Sequence, residues 1–536
     1  MGRKLRWMIW GLSASFVSAP VLASALQSTL SSHGIDALKL HKPPYNLLGR
    51  KIAIGQVEIG RPGIFGWDKA VSENSAISLA GVFLRDSPAK SNTGVDSHAY
   101  NVAGVMVSQD KALPGVAPQA QLYSSGVGST RNMGQPEQCL TAQHIAQQNG
   151  QDVRAINFSF GEPLARDPRP DAVLDGNALL TLCLDWSSRV HNVLYAIAGN
   201  QGRGGISIPT DNFNGINVAF SSARGGIFNK VDVSNLVAGN QGSSNRLAGK
   251  EFNIDGRASI GLVAPGSNIP ILNPDGRLNK VTGTSFAAPQ VTASVALLQE
   301  LGDRQIRAKK SNWTIDARRH EVMKAVLLNS ADKIQDQGNG LHLGMTRTLI
   351  DKQNQNWLDS DAYDDPQIPL DPQMGTGHLN TFRAYQQFSA GQWPPSSTVP
   401  AVGWDYGSVD GGYTVDYPLG KPLRQGSFVS ITLSWNRLVE LNDTNKNNKY
   451  DVGESFRDRG LNNLDLYLIP GDGAKNLNAG VICASVSEID SVEHIFCPVP
   501  TTGNYKIRVH FRERFHQATQ PYGLAWWTVP TSHPRK

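Results

Sequence analysis

Gly283-Thr284-Ser285-Phe286-Ala287-Ala288-Pro289 opens an apolar helical pattern that runs from Phe286 to Leu301. The Gly-Thr turn places Ser285 at the start of that helix, where backbone N–H groups and the positive helix end face a developing anion. A serine there is either an N-cap or a nucleophile. The surroundings give the segment its meaning. From about Leu48 to Ala390, short apolar runs alternate with helical patterns. The strand-like runs are Ile52-Ala53-Ile54, Ala155-Ile156-Asn157-Phe158, Val193-Leu194-Tyr195-Ala196-Ile197 and Ile260-Gly261-Leu262-Val263. Each is closed by glycine or polar turn residues, as for parallel strands covered on both faces. Helical periodicity recurs over Val102–Met106 and Glu321–Ser330. The alternation predicts an α/β domain with a doubly wound parallel sheet.

Beyond Gly391 the texture changes. Trp393-Pro394-Pro395-Ser396-Ser397 and Pro400 read as a linker. After it the period becomes two: Val429, Ile431, Leu433 and Trp435 alternate with Ser430, Thr432 and Ser434, and Tyr505, Ile507, Val509 and Phe511 with Lys506, Arg508 and His510. That pattern predicts antiparallel strands with one wet face, hence a smaller all-β sandwich domain. The expected divisions are a signal peptide over 1–25, a short N-terminal segment over 26–45, the α/β domain over 46–392, a linker over 393–409 and the sandwich over 410–530.

The chain has 536 residues, 40% hydrophobic and 18% charged, which suits two or three domains with sizeable cores. Its net charge is +5, and three of its 50 basic residues, Arg3, Lys4 and Arg6, fall in the acid-free first 25; the remaining 47 face 45 acidic ones. That balance excludes a nucleic-acid binder, which needs clustered basic surface. No later stretch supplies the ~18 uncharged apolar residues of a membrane span. The start itself reads as an address: a basic n-region, an apolar run from Trp7 to Ala23, and Ala23-Ser24-Ala25 as a small-x-small cleavage site. Cleavage there predicts an exported, secreted or periplasmic chain with no transmembrane anchor. An oxidising compartment favours disulfides, and pairing Cys139, Cys183, Cys483 and Cys497 within each half gives 139–183 and 483–497, one of three patterns open to four cysteines.

Three further words carry chemistry. His98-Ala99-Tyr100-Asn101-Val102-Ala103-Gly104 sets a histidine ahead of a small-residue helix turn, where it can serve as the base that a serine hydroxyl needs. Ala198-Gly199-Asn200-Gln201-Gly202 follows an apolar strand, and its glycines let the Asn200 amide project towards an oxyanion. Ile52 to Gly60 is a buried strand ending in Glu58, a carboxylate placed to fix an imidazole tautomer.

Together, in the order acid, histidine, asparagine and serine, these words resemble the subtilisin-like serine peptidases, or subtilases. Gly283 to Pro289 matches the family's GTSxAxP block, and His98 falls on the catalytic histidine of its HGTHVAG block, with Asn101 replacing the second histidine. The resemblance implies Ser285 as nucleophile, Asn200 as oxyanion donor and Ser159-Phe160-Gly161 as part of the substrate-binding strand. Gly115-Val116-Ala117-Pro118, Ala264-Pro265-Gly266 and Gly375 to Asn380 are further family-like words, so the likeness spans residues 46–390. Two departures stand out. Glu58 sits where the family has aspartate, and its extra methylene demands a retracted strand or a displaced histidine; Asp96, two residues before His98, is the fallback orienter. Only Leu26 to Pro44 separate the expected cleavage point from the first strand, far less than the family's pro-domain.

Asp443, Asn445, Asn447, Asp451 and Glu454 put side-chain oxygens at positions 1, 3, 5, 9 and 12 of a loop, with the Lys449 carbonyl at position 7, the spacing of an EF-hand calcium loop. No helix pair flanks it, so the expected role is a structural calcium ion, with no cofactor for catalysis. The whole reads as an exported monomeric serine endopeptidase acting on proteins or peptides. The competing reading is an inactive binding or scaffold protein on the same fold, resting on Glu58, Asn101 and the missing pro-domain.

Overall fold

The computed structural model describes residues 29–128, 134–199, 207–224, 226–231, 253–395, 398–472 and 480–531. The expected signal peptide and Asn200 lie outside them. Strands β1 (Ala53–Glu58), β2 (Leu79–Leu84), β3 (Ser87–Pro88), β4 (Gln121–Gly126), β5 (Val153–Phe158), β6 (Leu194–Ala198), β7 (Ile216–Arg224), β8 (Ile227–Val231) and β9 (Leu262–Pro265) precede a short hairpin, β10 (Ile269–Leu272) and β11 (Leu278–Val281), and then β12 (Thr348–Ile350). One large sheet runs β12-β8-β7-β6-β5-β1-β4-β2-β3, with β9 also on β7. Its centre is parallel: β1 pairs β4 and β5, β5 pairs β6, and β6 pairs β7. β1, β5 and β6 are buried along their whole length, as their mostly apolar runs suggest, and the buried polar residues in them are Gln56, Glu58, Arg154 and Asn157.

Helices cover both faces. On one side Ser97–Val107, the almost wholly buried Ala288–Arg307, His320–Asn329 and Thr381–Ser389 form the larger core; on the other, Gln135–Ala146 and Leu179–His191 close a second core. Helix Ala288–Arg307 begins with Pro289 in its first turn, where a missing N–H costs nothing. Residues 29–47 belong to the first core through Leu30, Ile35, Leu40 and Leu47, and the Ile35 carbonyl accepts the Thr381 N–H at 2.7 Å. The parallel centre brings the C-terminal ends of β1, β5 and β6 to one edge, the usual place for a site in an open α/β sheet.

The second region is a sandwich of two four-stranded sheets. β13 (Val402–Asp410), β22 (Thr519–Trp527), β15 (Phe428–Trp435) and β20 (Val492–Pro498) make one; β14 (Thr414–Pro418), β21 (Tyr505–Glu513), β18 (Asn463–Pro470) and β19 (Cys483–Ser485) make the other. A separate hairpin joins β16 (Val439–Asn442) to β17 (Ser455–Asp458). The sandwich starts earlier than its sequence pattern suggested: its first strand is Val402–Asp410, of which residues 402–409 read as linker, with Trp404 fully buried. Pro400 and Gly403 mask that strand in the sequence.

One expected wet face is dry. Every residue of β15 is buried, Ser430, Thr432 and Ser434 included, because this face lies on helix His320–Asn329. Ser430 Oγ donates to the Asn329 carbonyl (3.1 Å) and Thr432 Oγ1 to Asn329 Oδ1 (3.0 Å). Alternation reports polarity, and here the polar face meets protein rather than water. The other sheet comes closer to the prediction: Lys506 and His510 are half-buried, while Arg508 between them is buried and, like Lys506, paired to Asp416.

Candidate active site

Three segments converge at the sheet edge. β1 delivers Glu58 with its side chain fully buried. The chain then passes so close to the next segment that a Cβ at Gly60 would strike Asp96 Cβ and lie 2.8 Å from the Gly94 carbonyl. Asp96 caps helix Ser97–Val107, its Oδ1 accepting the His98 N–H at 3.0 Å. The fallback orienter is therefore engaged on the backbone. Glu58 is the residue that meets the ring, with Oε2 accepting from His98 Nδ1 at 3.1 Å.

Electrostatics follow from this geometry. Burial pushes the Glu58 carboxyl up and Asp96 adds to that, while His98 opposes; the net direction is upward. For His98, burial favours the neutral ring, but the charge and hydrogen bond of Glu58, with Asp96 behind them, outweigh it and raise the pKa above its ordinary 6.5. The His98 side chain is 39% exposed, so its outer nitrogen can exchange protons with the cleft. With Nδ1–H given to Glu58, the lone pair of the neutral ring lies on Nε2.

Ser285 sits in the turn Thr284–Phe286, 5% exposed, and Gly283 before it adopts φ 149°, a region that favours glycine. Neither this turn nor the following helix has a side-chain cap, so Ser285 is not consumed as an N-cap. Its Oγ donates to the Ser159 carbonyl at 3.2 Å, and Ser159 Oγ donates back to the Ser285 carbonyl at 3.2 Å. The next residue, Phe286, sets its ring 5.5 Å from His98. The turn of Ser285 thus packs near the helix of His98, while the Ser285 hydroxyl itself is directed at the Ser159 carbonyl just past β5.

Of the expected substrate-binding strand, Ser159 is buried and cross-tied to Ser285, Phe160 is half-buried and stacked on Phe158 at 4.3 Å, and Gly161 lies against Ser207. Glu162 continues it, exchanging backbone hydrogen bonds with Ile208 (2.8 and 3.0 Å). Asn101 lies one turn beyond His98, buried, with its Oδ1 unpartnered. The sequence reading missed the Asp96 cap, although an aspartate just before an apolar helix is its ordinary signal; the Ser159–Ser285 tie has no local signal.

Both disulfides form, Cys139–Cys183 between two helices and Cys483–Cys497 between β19 and β20. The Asp443–Glu454 loop closes on itself. Asp443 accepts the Lys446, Asn447 and Asn448 N–H groups, Asn445 and Asn447 donate to Asp451 (2.7 Å each), and Glu454 accepts from Thr444 and Asp451. Asn448 takes φ 59° at the position where EF-hand loops have glycine. Among the described residues no three His, Cys, Asp or Glu side chains gather as a metal cluster, the three acids of this loop included. Tyr450 within it is buried against the Cys139–Cys183 helices and exchanges hydrogen bonds with Gln143 (2.6 and 3.0 Å).

Residues 55–346 match the subtilase family, peptidase family S8. The chain is 27% identical over 269 residues to the major intracellular serine protease of Bacillus subtilis (strain 168), covering 49% of this chain and 73% of that one. It is 24% identical over 270 residues to subtilisin Savinase of Lederbergia lenta, covering 49% and 83%. Among solved structures, the prenylagaramide maturation protease PagA matches at 21% identity and a TM-score of 0.41, over 64% of this chain and 95% of its own.

Proposed function

Because this chain belongs to the subtilase family and is a serine-type endopeptidase, we propose that Glu58, His98 and Ser285 are its catalytic residues. The observation that carries this reading is the 3.1 Å contact of Glu58 Oε2 with His98 Nδ1, made by a fully buried carboxylate. A substrate entering the cleft turns Ser285 Oγ from the Ser159 carbonyl towards His98 Nε2. The base takes the proton as Oγ attacks the scissile carbonyl, and Glu58 holds the imidazolium that forms. The Ser285 N–H and the Asn200 amide receive the oxyanion. His98 then protonates the leaving amine, and water releases the acyl group from Ser285. Ser159 to Glu162 forms one wall for the peptide. Subtilases need no cofactor for this reaction.

The substrates are proteins or peptides. The basic and apolar start of the chain supports export, and among the described residues no helix is long and apolar enough to cross a membrane. The Asp443–Glu454 loop suits a structural calcium ion: its oxygens fall at the right positions, and Asn448 supplies the left-handed turn. Calcium there would brace the junction around Tyr450 and take no part in catalysis.

Labelling of the purified chain by a fluorophosphonate probe tests the assignment. Wild type is expected to label and Ser285→Ala and His98→Ala are not. A folded wild type that fails to label, with and without calcium, would overturn it in favour of a binding or scaffold role.

A further inference from the structure

The strand exit beyond Glu58 is held by a residue outside the expected site. Arg61 is fully buried, and all five of its guanidinium N–H groups are donated. Nε gives to the Thr93 carbonyl (2.8 Å), Nη1 to the Pro62 carbonyl (3.0 Å) and Asp68 Oδ2 (2.7 Å), and Nη2 to Asp68 Oδ1 (2.7 Å) and the Lys90 carbonyl (3.0 Å). Asp68, buried as well, also accepts the Ile64 N–H (2.9 Å) and the Asn92 N–H (2.6 Å). The Trp67 ring covers the guanidinium at 4.8 Å.

These bonds join two stretches of chain. One is the exit of the Glu58 strand; the other, Lys90 to Thr93, leads into the His98 helix. The backbone repeats the link, since the Arg61 N–H donates to the Gly94 carbonyl (2.8 Å) and the Asp96 N–H to the Arg61 carbonyl (2.9 Å). Asp96 Oδ1 then accepts the His98 N–H. A continuous path of hydrogen bonds thus runs from Arg61 to His98 without touching the reacting atoms.

We infer that Arg61, locked on Asp68, is a positioning residue that sets the separation of Glu58 and His98. The inference rests on the catalytic assignment above. Glutamate makes the need acute: with one more rotatable bond than aspartate, its contact with His98 is defined only if the two backbones are held at a fixed distance. A buried Arg–Asp pair adds little net stability compared with well-packed apolar side chains of similar volume. What a fully satisfied guanidinium supplies is a fixed geometry that lysine, with three donors and no plane, cannot copy.

Arg61→Lys, Arg61→Met and Asp68→Asn test this in the full chain, with kcat, KM, pH profile and melting measured on each. Asp68→Asn leaves the three backbone bonds of Arg61 available and is the mildest change. Displacement of the pair by a fraction of an ångström is expected to lower kcat about tenfold or more, while KM stays within about twofold. The acid limb of kcat/KM should move to lower pH, because among the described residues the charges acting on the His98 ring are Glu58 and Asp96, and its ring neighbour on the Ser285 side is the uncharged Phe286. Arg61→Lys should retain more kcat than Arg61→Met. Variants that melt earlier yet keep the wild-type kcat and acid limb would overturn the inference. If Arg61→Met does not fold, an unchanged profile in Asp68→Asn overturns it alone. An inert wild type would instead defeat the catalytic assignment, and this inference with it.

Discussion

Two of this molecule's ion pairs, each with a buried carboxylate, are built in opposite ways. At the sheet edge Glu58 is dry but His98 keeps 39% of its side chain exposed. At the junction with the sandwich, Arg437 and Asp185 are both almost wholly buried, 2.6 Å apart. Arg437 also donates to the Gly176 carbonyl (2.8 Å) and stacks on Phe213, a ring that Arg257 also stacks on. Asp185 in turn accepts the Phe213 and Asn214 N–H groups. A guanidinium does not lose its proton at any working pH, so this junction is permanent. A histidine does, so the pair at the edge can cycle. Partial exposure separates a working pair from a fastening.

That contrast can be broken from either side. The largest effect is expected at the edge: Glu58→Gln keeps the shape but removes the carboxylate in contact with His98, leaving only the weaker influence of Asp96, and kcat should fall by about 10³-fold or more with little change in melting. Arg437→Met should do the reverse. It strands Asp185 in a dry junction and should cost about 3–5 kcal/mol of stability, seen as earlier denaturant unfolding, while the folded fraction keeps its kcat. Loss of activity beyond the unfolded fraction would show that the junction reaches the site. Thr432→Val, which removes one hydroxyl from the face against Asn329 and His494, should cost about 1–2 kcal/mol without affecting kcat.

The pH profile gives the finest distinction. On the proposed assignment only neutral His98 can accept the Ser285 proton, and its pKa is raised by Glu58 and Asp96 against the opposing effect of burial. Activity should therefore fall as pH drops through a midpoint above 6.5, and Glu58→Gln should shift that midpoint downward. An acid limb at or below 6.5 in wild type would mean that the Glu58 contact does not persist in solution.

Much of this was legible because the informative features are local. The mostly apolar runs at Ala155–Phe158 and Val193–Ile197 mark β5 and β6, since a strand covered on both faces has few polar positions to give. The turn into the helix of Ser285 is written in Gly283 and Pro289. Glu58, His98 and Ser285 could be nominated because each sits at the end of an element with its own signature.

What stayed hidden depends on partners far away in sequence. Ser430 and Thr432 alternate as surface residues do, and only the docking of β15 on His320–Asn329 makes them interior. Asp96 and Glu58 were both candidates to orient His98; only the folded chain shows that Glu58 Oε2 meets the ring while Asp96 Oδ1 accepts the His98 N–H. Arg61 carries no motif, and its role exists only because strand exit and loop come within reach of one guanidinium. The sequence alone determined the order of elements, the family and the residues able to do chemistry, since those follow from local pattern and residue type. Tertiary structure decided which polar groups meet each other instead of water, since that depends on packing between segments hundreds of residues apart.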